Sequence, residues 1–297
     1  MGKASRRKGK ENRVAKDPSQ QPAPFVARPF EGLANETDWV AMREIVPSAT
    51  AKVTFEVDGT EHEAIIATIL PMAWPGLRRE SGEMMVALQT GGGSGDASRD
   101  VAAQLIAVTQ LEPGQPLAAM PPVSAATPRL QDILTSTSLE PTVHDTFDFW
   151  IPEDHEVGEE ASISMEDAND SIAPTFKLPG VDSAYWVLIG DRAFVRWVLP
   201  QEENKATDAL ARLSASGRGR MPSNDDDGRL LGAFRACGVL TPVWEVVTTR
   251  LPEEQRKPML ELAAAYEEAY ASLDSTPLDA EERRARNGIV SRQITLR

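Results

Sequence analysis

The sequence contains a single cysteine, Cys237, among 297 residues. One thiol excludes an internal disulfide framework and every zinc motif that needs several cysteines. Cys237 lies in the segment 234–239, which is largely apolar. Free cysteines in such surroundings are usually buried and inert, so we expect Cys237 to pack rather than to react.

Long apolar runs are also missing. No segment approaches the roughly 18 apolar residues that a membrane-spanning helix needs, and the N-terminus, although basic like the start of a signal peptide, is not followed by an apolar stretch. The composition, 41% hydrophobic and 26% charged residues, is that of an ordinary globular protein with an adequate core. We expect a soluble cytoplasmic protein without a membrane partner.

Histidines are few, and their spacing favours no metal site. His62, His144 and His155 lie far apart in the sequence, and none has a nearby cysteine. The consecutive aspartates 225–227 lack the alternating ligands of a calcium-binding EF-hand loop. The acidic run in 153–160 resembles a solvated surface, so no catalytic carboxylate pair can be chosen from it.

The glycine-rich loop 91–95 precedes a predicted helix, which is where a phosphate-binding loop would lie. A P-loop continues with Lys and then Ser or Thr, but Asp96 and Ala97 occupy those places here. Asp96 would also repel a phosphate. A plain flexible loop is the favoured interpretation and anion binding the alternative. We predict no catalytic residue, no cofactor and no metal.

Negative charge dominates everywhere except at the N-terminus. The first 16 residues hold seven Lys or Arg and one Glu, a charge of +6, whereas the whole chain sums to −14, so residues 17–297 carry −20. Basic side chains neutralise nucleic-acid phosphates without reading sequence. The nucleic-acid-binding candidates are the basic residues of this arm: Lys3, Arg6, Arg7, Lys8, Lys10, Arg13 and Lys16.

The basic arm has two interpretations. It either makes a weak contact with RNA, DNA or the ribosome, or it is a solubilising tail, and it has no aromatic residue for stacking on bases. The acidic remainder repels polyanions and attracts cationic partners. Residues 1–24 contain one large aliphatic residue, Val14, and are predicted to be a disordered basic tail.

The first half of the chain after this tail is predicted to contain a helix, three strands and a second helix. A short helix is expected from residue 37, with Thr37 or Asp38 as its cap. Strands are predicted at 51–57 and 62–70, joined by Asp58-Gly59, a strong hairpin indicator, and at 83–89. A helix capped by Ser98 follows, and the proline-rich segment 112–128 is expected to have no regular structure.

The second half repeats strands followed by helices. After a short helix at 130–134, strands are predicted at 144–151, 184–189, 194–199 and 239–247. Helices are predicted at 202–216, at 230–237, from Met259, and at 281–289 behind the capping-box pair Asp279 and Glu282. Residues 153–170 are expected to be a loop or a weak helix.

These patterns predict an α+β fold with antiparallel hairpin strands and packed helices. The globular region is expected to span 25–297, with an alternative division into two subdomains at about 25–135 and 136–297. A duplicated strand-strand-helix unit is a further alternative without residue-level support. Six tryptophans should lie mostly in the core, while Trp74, between Pro71 and Pro75, can line a cleft or a partner surface.

Several blocks, in their order along the chain, resemble an uncharacterised actinobacterial protein family, a domain of unknown function. The blocks include VARPFEGLANETDWVAMREIVPSATA, LPMAWPGL, HDTFDFWIPED, RLLGAFRACGVLTPVWE and AEERRARNGIVSRQITLR. The resemblance covers nearly the whole chain. It implies a cytosolic protein and carries over no catalytic residue.

The leading hypothesis is therefore a non-catalytic cytoplasmic protein that binds an unknown protein partner through its acidic body. Two alternatives remain: a weak nucleic-acid-binding or ribosome-associated protein that uses its basic arm, and an enzyme without a recognisable motif. An enzyme would require a concave pocket with carboxylates or histidines whose pKa values are perturbed.

Overall fold

The computed structural model describes residues 17–151, 159–221, 228–292 and 294–295, which form two β-sheets with packed helices. The strands are β1 (Ala49–Val57), β2 (Thr60–Ala67), β3 (Gly76–Arg78), β4 (Met84–Ala87), β5 (Thr142–Val143), β6 (Thr175–Lys177), β7 (Ala184–Ile189), β8 (Arg192–Trp197), β9 (Arg229–Ala236), β10 (Val239–Val246) and β11 (Ile294–Thr295). The helices are α1 (Glu36–Glu44), α2 (Ala97–Thr109), α3 (Leu130–Ile133), α4 (Glu159–Asp170), α5 (Glu203–Ala215), α6 (Arg256–Ser272) and α7 (Ala280–Ser291). The predicted α+β fold is confirmed.

The first sheet has the strand order β3-β4-β2-β1-β5. Its centre is the antiparallel hairpin of β1 and β2, whose Asp58-Gly59 turn has positive φ angles of 52° and 75°, as the sequence predicts. β2 and β4 run parallel, so the sheet is mixed. Alternate residues of β1, such as Val53 and Phe55, face a core that α1 and α2 cover.

The second sheet has the order β11-β9-β10-β8-β7-β6 and covers two different cores. One face contributes Trp186, Trp197 and Trp244 to a core shared with α5 and α6. The opposite face contributes Tyr185 and Phe234 to the core of the first half. The two halves therefore share buried surface through this second face, and the division into subdomains at 135/136 stays a prediction.

The short helix α1 connects the two sheets. Asn35 occupies its cap position without a side-chain cap bond, so Thr37 and Asp38 are not caps but lie inside the helix. Both are buried and point to the second half, where Ser183 Oγ lies 2.8 Å from Thr37 Oγ1 and 2.7 Å from the Asp38 carboxylate. Residues that favour cap positions are used here for tertiary contacts.

Two element predictions are wrong. Residues 230–237 form the strand β9 rather than a helix, because β9 pairs with β10 along its length. Residues 144–151 form no strand: Phe147, Phe149 and Trp150 gather around a 3-10 turn at Asp148–Trp150. The Trp150 indole N–H donates to the Ile69 carbonyl at 3.0 Å, which holds this turn on the first sheet.

The remaining elements follow the sequence closely. Residues 112–128 form no helix or strand, and Asp279 and Glu282 form the predicted capping box of α7. Part of the predicted disordered tail is ordered, since Pro18–Gln20 forms a 3-10 turn and Pro22 bridges to Ser124. The two sheets differ in strand order, and the duplication stays a prediction.

Candidate functional site

The candidates of the basic arm, Lys3 to Lys16, lie outside the described residues, and so do His155 and the aspartates 225–227. Their predicted roles therefore stay predictions.

The two described histidines serve packing contacts. The His62 ring lies 5.5 Å from the Phe55 ring across the β1–β2 hairpin. His144 Nε2 lies 2.8 Å from Thr50 Oγ1, and burial lowers the pKa of His144, opposed by the nearby Asp145 carboxylate. Across the described ranges, no group of three or more His, Cys, Asp or Glu residues could hold a metal ion.

The glycine-rich loop before α2 is occupied by the protein's own carboxylates. The backbone N–H of Ser94 donates to both oxygens of Asp100, at 3.0 and 3.2 Å. Asp96 is fully buried and caps α2 in place of the predicted Ser98, which lies inside the helix; its carboxylate accepts from the Ser98 N–H at 3.2 Å and from Arg129 Nε at 3.1 Å. These carboxylates occupy the position that a bound anion would take. The contacts favour a loop that stabilises the fold over a loop that binds phosphate.

Cys237 lies in the turn between β9 and β10 rather than at a helix end. Burial and the Glu44 carboxylate raise the pKa of its thiol to about 12. Thiolate chemistry at neutral pH is therefore suppressed.

The segment around Trp74 is a short 3-10 turn, Pro71–Ala73, that is exposed at Met72. Met72 is 83% exposed and adopts a positive φ of 54°, while Trp74 is half-buried. Trp39, Trp186, Trp197 and Trp244 are buried.

The described surface has a concave feature beside β1. The segment 134–143 runs antiparallel along this strand: Leu134 bridges Phe55, and Thr142 pairs with Thr50. Between these points the segment bends away from β1, because Leu139 turns inward and its N–H donates to the Asn35 side chain at 3.1 Å. An open groove is left between the strand and the bend.

We call this feature the β1 groove. It has a volume of about 460 Å³ and is lined by Thr50, Ala51, Lys52, Ile65, Ser138, Glu140 and Thr142. Lys52 and Ile65 face each other across β1 and β2 and form its floor on the solvent side of the sheet.

The backbone of β1 is open at the centre of this groove. The Thr54 carbonyl accepts from the N–H groups of Thr135 and Ser136, so Thr54 directs its backbone groups to this edge. Every second residue of a strand does the same, and Lys52 therefore directs its N–H and C=O into the groove. Among the described residues, no pairing on this edge reaches Lys52.

Acidic side chains lie in the groove and along the hairpin that continues from it. Glu56 and Glu61 lie directly opposite each other on the hairpin, an arrangement of like charges that destabilises a sheet. Glu63, 65% exposed, follows on the same face, 3.7 Å from Lys52 Nζ. With Glu140 in the lining, four carboxylates stand against one lysine.

The β1 groove thus combines an open strand edge with a local excess of negative charge. Such an edge accepts the backbone of an extended segment, and the carboxylates select positive side chains on it. Local sequence patterns do not reveal this site, because it depends on a bend in residues 137–141 that lies far along the chain from β1. The strand-like alternation of 51–57 was the available indication of an edge.

These features define an α+β protein built on two mixed sheets, with an open groove at one sheet edge. The chain belongs to a family of unknown function, DUF5926, whose model matches residues 29–297. No curated protein and no solved structure matches it. The predicted membership in a domain of unknown function is confirmed, whereas the actinobacterial origin stays a prediction. In the described ranges, no helix is long and apolar enough to cross a membrane.

Proposed function

We propose that this protein is a non-catalytic cytoplasmic binding protein that takes an extended, positively charged segment of a partner protein into the β1 groove. The observation that carries the proposal is the unpaired edge at Lys52, with the carboxylates of Glu140 in the lining and Glu63 beside Lys52. The net charge of −20 on residues 17–297 adds long-range attraction for a cationic partner.

The groove supports binding better than catalysis. Among its lining residues, Glu140 is the one carboxylate, and there is no histidine or cysteine. General acid–base catalysis places a titratable side chain within hydrogen-bond reach of the reacting group, and this lining offers Glu140 and Lys52 as its titratable side chains. The alternative of an enzyme without a motif gains no support from this site.

The test is the affinity of a short peptide of alternating Lys and Val, measured by fluorescence anisotropy. Alternation places the lysines on one side of an extended peptide, where they meet the carboxylates. We expect Glu63→Gln and Glu140→Gln each to weaken binding about threefold, the effect of an exposed charge pair. Lys52→Gln should strengthen binding by a similar factor, because it removes a like charge.

Glu112→Gln is the matched control. Glu112 is exposed and lies beside β3, at the opposite edge of the first sheet from β5. Glu112→Gln changes the net charge by the same amount as Glu63→Gln or Glu140→Gln, but it should leave the affinity for the peptide unchanged. Equal weakening by Glu112→Gln and Glu63→Gln would show that net charge, not the groove, attracts the peptide.

A further inference from the structure

A row of polar side chains crosses the face of the second sheet that points to the first half. Lys177 on β6 pairs with Tyr185 on β7, Tyr185 pairs with Arg196 on β8, and Arg196 pairs with Val243 on β10. Directly paired residues lie on the same face of a sheet. The aligned register therefore places Lys177, Tyr185 and Arg196 side by side.

The first two members of the row have a partner, and it is Asp38. Lys177 Nζ donates to both oxygens of the Asp38 carboxylate, at 3.0 and 3.1 Å, and the Tyr185 hydroxyl donates to it at 3.0 Å. The charges of Lys177 and Asp38 cancel in this contact. Burial, followed by the Asp38 charge, raises the pKa of Tyr185 well above its ordinary value, so its phenol stays neutral.

Arg196, the third member, has no such partner. Its Nε is buried and makes no hydrogen bond, and among the described residues no carboxylate forms an ion pair with its guanidinium. Burial alone lowers its pKa to about 10, which still leaves the group charged at neutral pH. Unpaired buried charges are strongly unfavourable, and buried arginines are normally paired.

A second unpartnered polar group lies on the same face. Thr241 is fully buried, and its Oγ1 has no hydrogen-bond partner in the described part of the chain. It precedes Val243 by two residues on β10, so it is the diagonal neighbour of Arg196. Arg196 Nε and the Thr241 hydroxyl, both able to donate, are therefore without a partner among the described residues and belong to diagonal positions of one face.

We propose that Arg196 anchors a binding site for a small oxyanion, a carboxylate or a phosphate, with Thr241 as a second donor. The planar guanidinium fork matches two oxygens of either group. An anion there would neutralise the Arg196 charge, which has no ion-pair partner in the described part of the chain. Arg196 is half-buried, so part of the residue is in contact with solvent.

The experiment measures the melting temperature of the full chain in increasing inorganic phosphate and, separately, in increasing acetate. A ligand that binds the folded state raises Tm with the logarithm of its concentration, by about 5 °C at a hundredfold excess over Kd. Because phosphate also stabilises proteins without binding, each titration is compared with the same titration of Arg196→Met.

We expect at least one anion to raise the Tm of the wild type more than that of Arg196→Met, and the more effective anion identifies the ligand class. Arg192→Met is the matched control, since Arg192 is 54% exposed on the same strand and pairs with Glu245. It should respond to the anion like the wild type. Arg196→Lys, which keeps the charge but loses the planar fork, should lose most of the additional shift.

If each anion raises the Tm of the wild type and of Arg196→Met by the same amount, the proposed site is wrong. If Arg196→Met does not fold, the comparison between Arg196→Lys and Arg192→Met decides: equal shifts in those two variants also contradict the proposal.

Discussion

The Asp38 carboxylate lies in the first turn of α1, where acidic residues commonly face solvent, yet Asp38 is 3% exposed. It accepts hydrogen bonds from Lys177, Ser183 and Tyr185, three residues of the second half. The sequence suggests a cap at this position, since Asp favours caps. Its actual role depends on residues about 140 positions away, which local patterns do not contain.

Asp38→Ala should therefore destabilise the fold more than the loss of a single hydrogen bond. The change removes the acceptor of the buried Tyr185 and Ser183 hydroxyls, at about 1–3 kcal/mol for each donor left unsatisfied, whereas Lys177, whose side chain is 31% exposed, keeps access to water. Ser183→Ala, which removes one donor to the same carboxylate, should cost about 1.5–3 kcal/mol. Urea denaturation of both variants measures the difference. A cost for Asp38→Ala below that for Ser183→Ala would contradict the proposed importance of this contact between the halves.

The Cys237 thiol should resist alkylation in the native protein at neutral pH. Its pKa of about 12 exceeds the ordinary value of 9.0, and only the thiolate reacts. The folded state retains this proton where the unfolded state has lost it, so stability falls as pH rises from about 9 to 12. Iodoacetamide labelling with and without urea measures the contrast. Equal labelling rates in the two conditions would rule out the raised pKa.

Helices, strands and turns were predicted correctly where residues close together in the sequence determine which element forms. The Asp58-Gly59 turn and the Asp279–Glu282 capping box depend on residues within a few positions of each other. The prediction of a helix at 230–237 failed because β9 is stabilised by its ladder with β10 and by core contacts of Phe234. Tertiary pairing overrides intrinsic propensity in such segments.

The short elements were not predictable in the same way. β3 and β6 have three residues each, too few for a period-2 pattern to stand out. The aromatic alternation in 144–151 predicted a strand, but the rings pack on one another, with the Phe147 and Trp150 centroids 4.4 Å apart.

The turn between β9 and β10 should be sensitive to a single methyl group. Gly238 has a φ of +80°, and a Cβ there would lie 2.5 Å from the Ala27 carbonyl oxygen. Gly190, in the turn between β7 and β8, also has a positive φ but has nothing within 4 Å of a Cβ. Gly190→Ala should cost about 1 kcal/mol from backbone strain, and Gly238→Ala at least about 1 kcal/mol more from the clash.

Urea denaturation of the two alanine variants separates strain from steric contact. If both variants lose the same free energy of unfolding, the backbone at Ala27 moves away from the new methyl group at no cost. The turn between β9 and β10 is then not tightly packed against Ala27.

On the scale of the whole molecule, charge is divided between a +6 arm and a −20 remainder. If the arm contacts RNA, replacing its seven Lys and Arg residues by Gln should remove the binding. Each lost phosphate contact should lower the slope of log affinity against log salt by roughly 0.7. Filter binding of both full-length chains to single-stranded RNA across a salt series tests this alternative. If the chains with and without the seven charges bind RNA equally well, the basic arm is not the RNA-binding segment.

The β1 groove depends on the tertiary fold, because it forms where residues 134–143 return to β1. The sequence predicted β1 and the acidic character of the chain, and hence a cationic partner as a hypothesis. It could not predict where the edge stays open, since the inward turn of Leu139 depends on Asn35.

Amide hydrogen exchange at Lys52, with and without the alternating Lys and Val peptide, tests whether a partner segment pairs with the open edge of β1. The Lys52 N–H should exchange readily in the free protein and become protected in the complex, because the peptide backbone accepts its hydrogen bond. The amide of Glu112 should exchange equally in both states. Peptide binding that leaves the exchange rate of the Lys52 amide unchanged would show that the peptide does not pair with β1 in this groove.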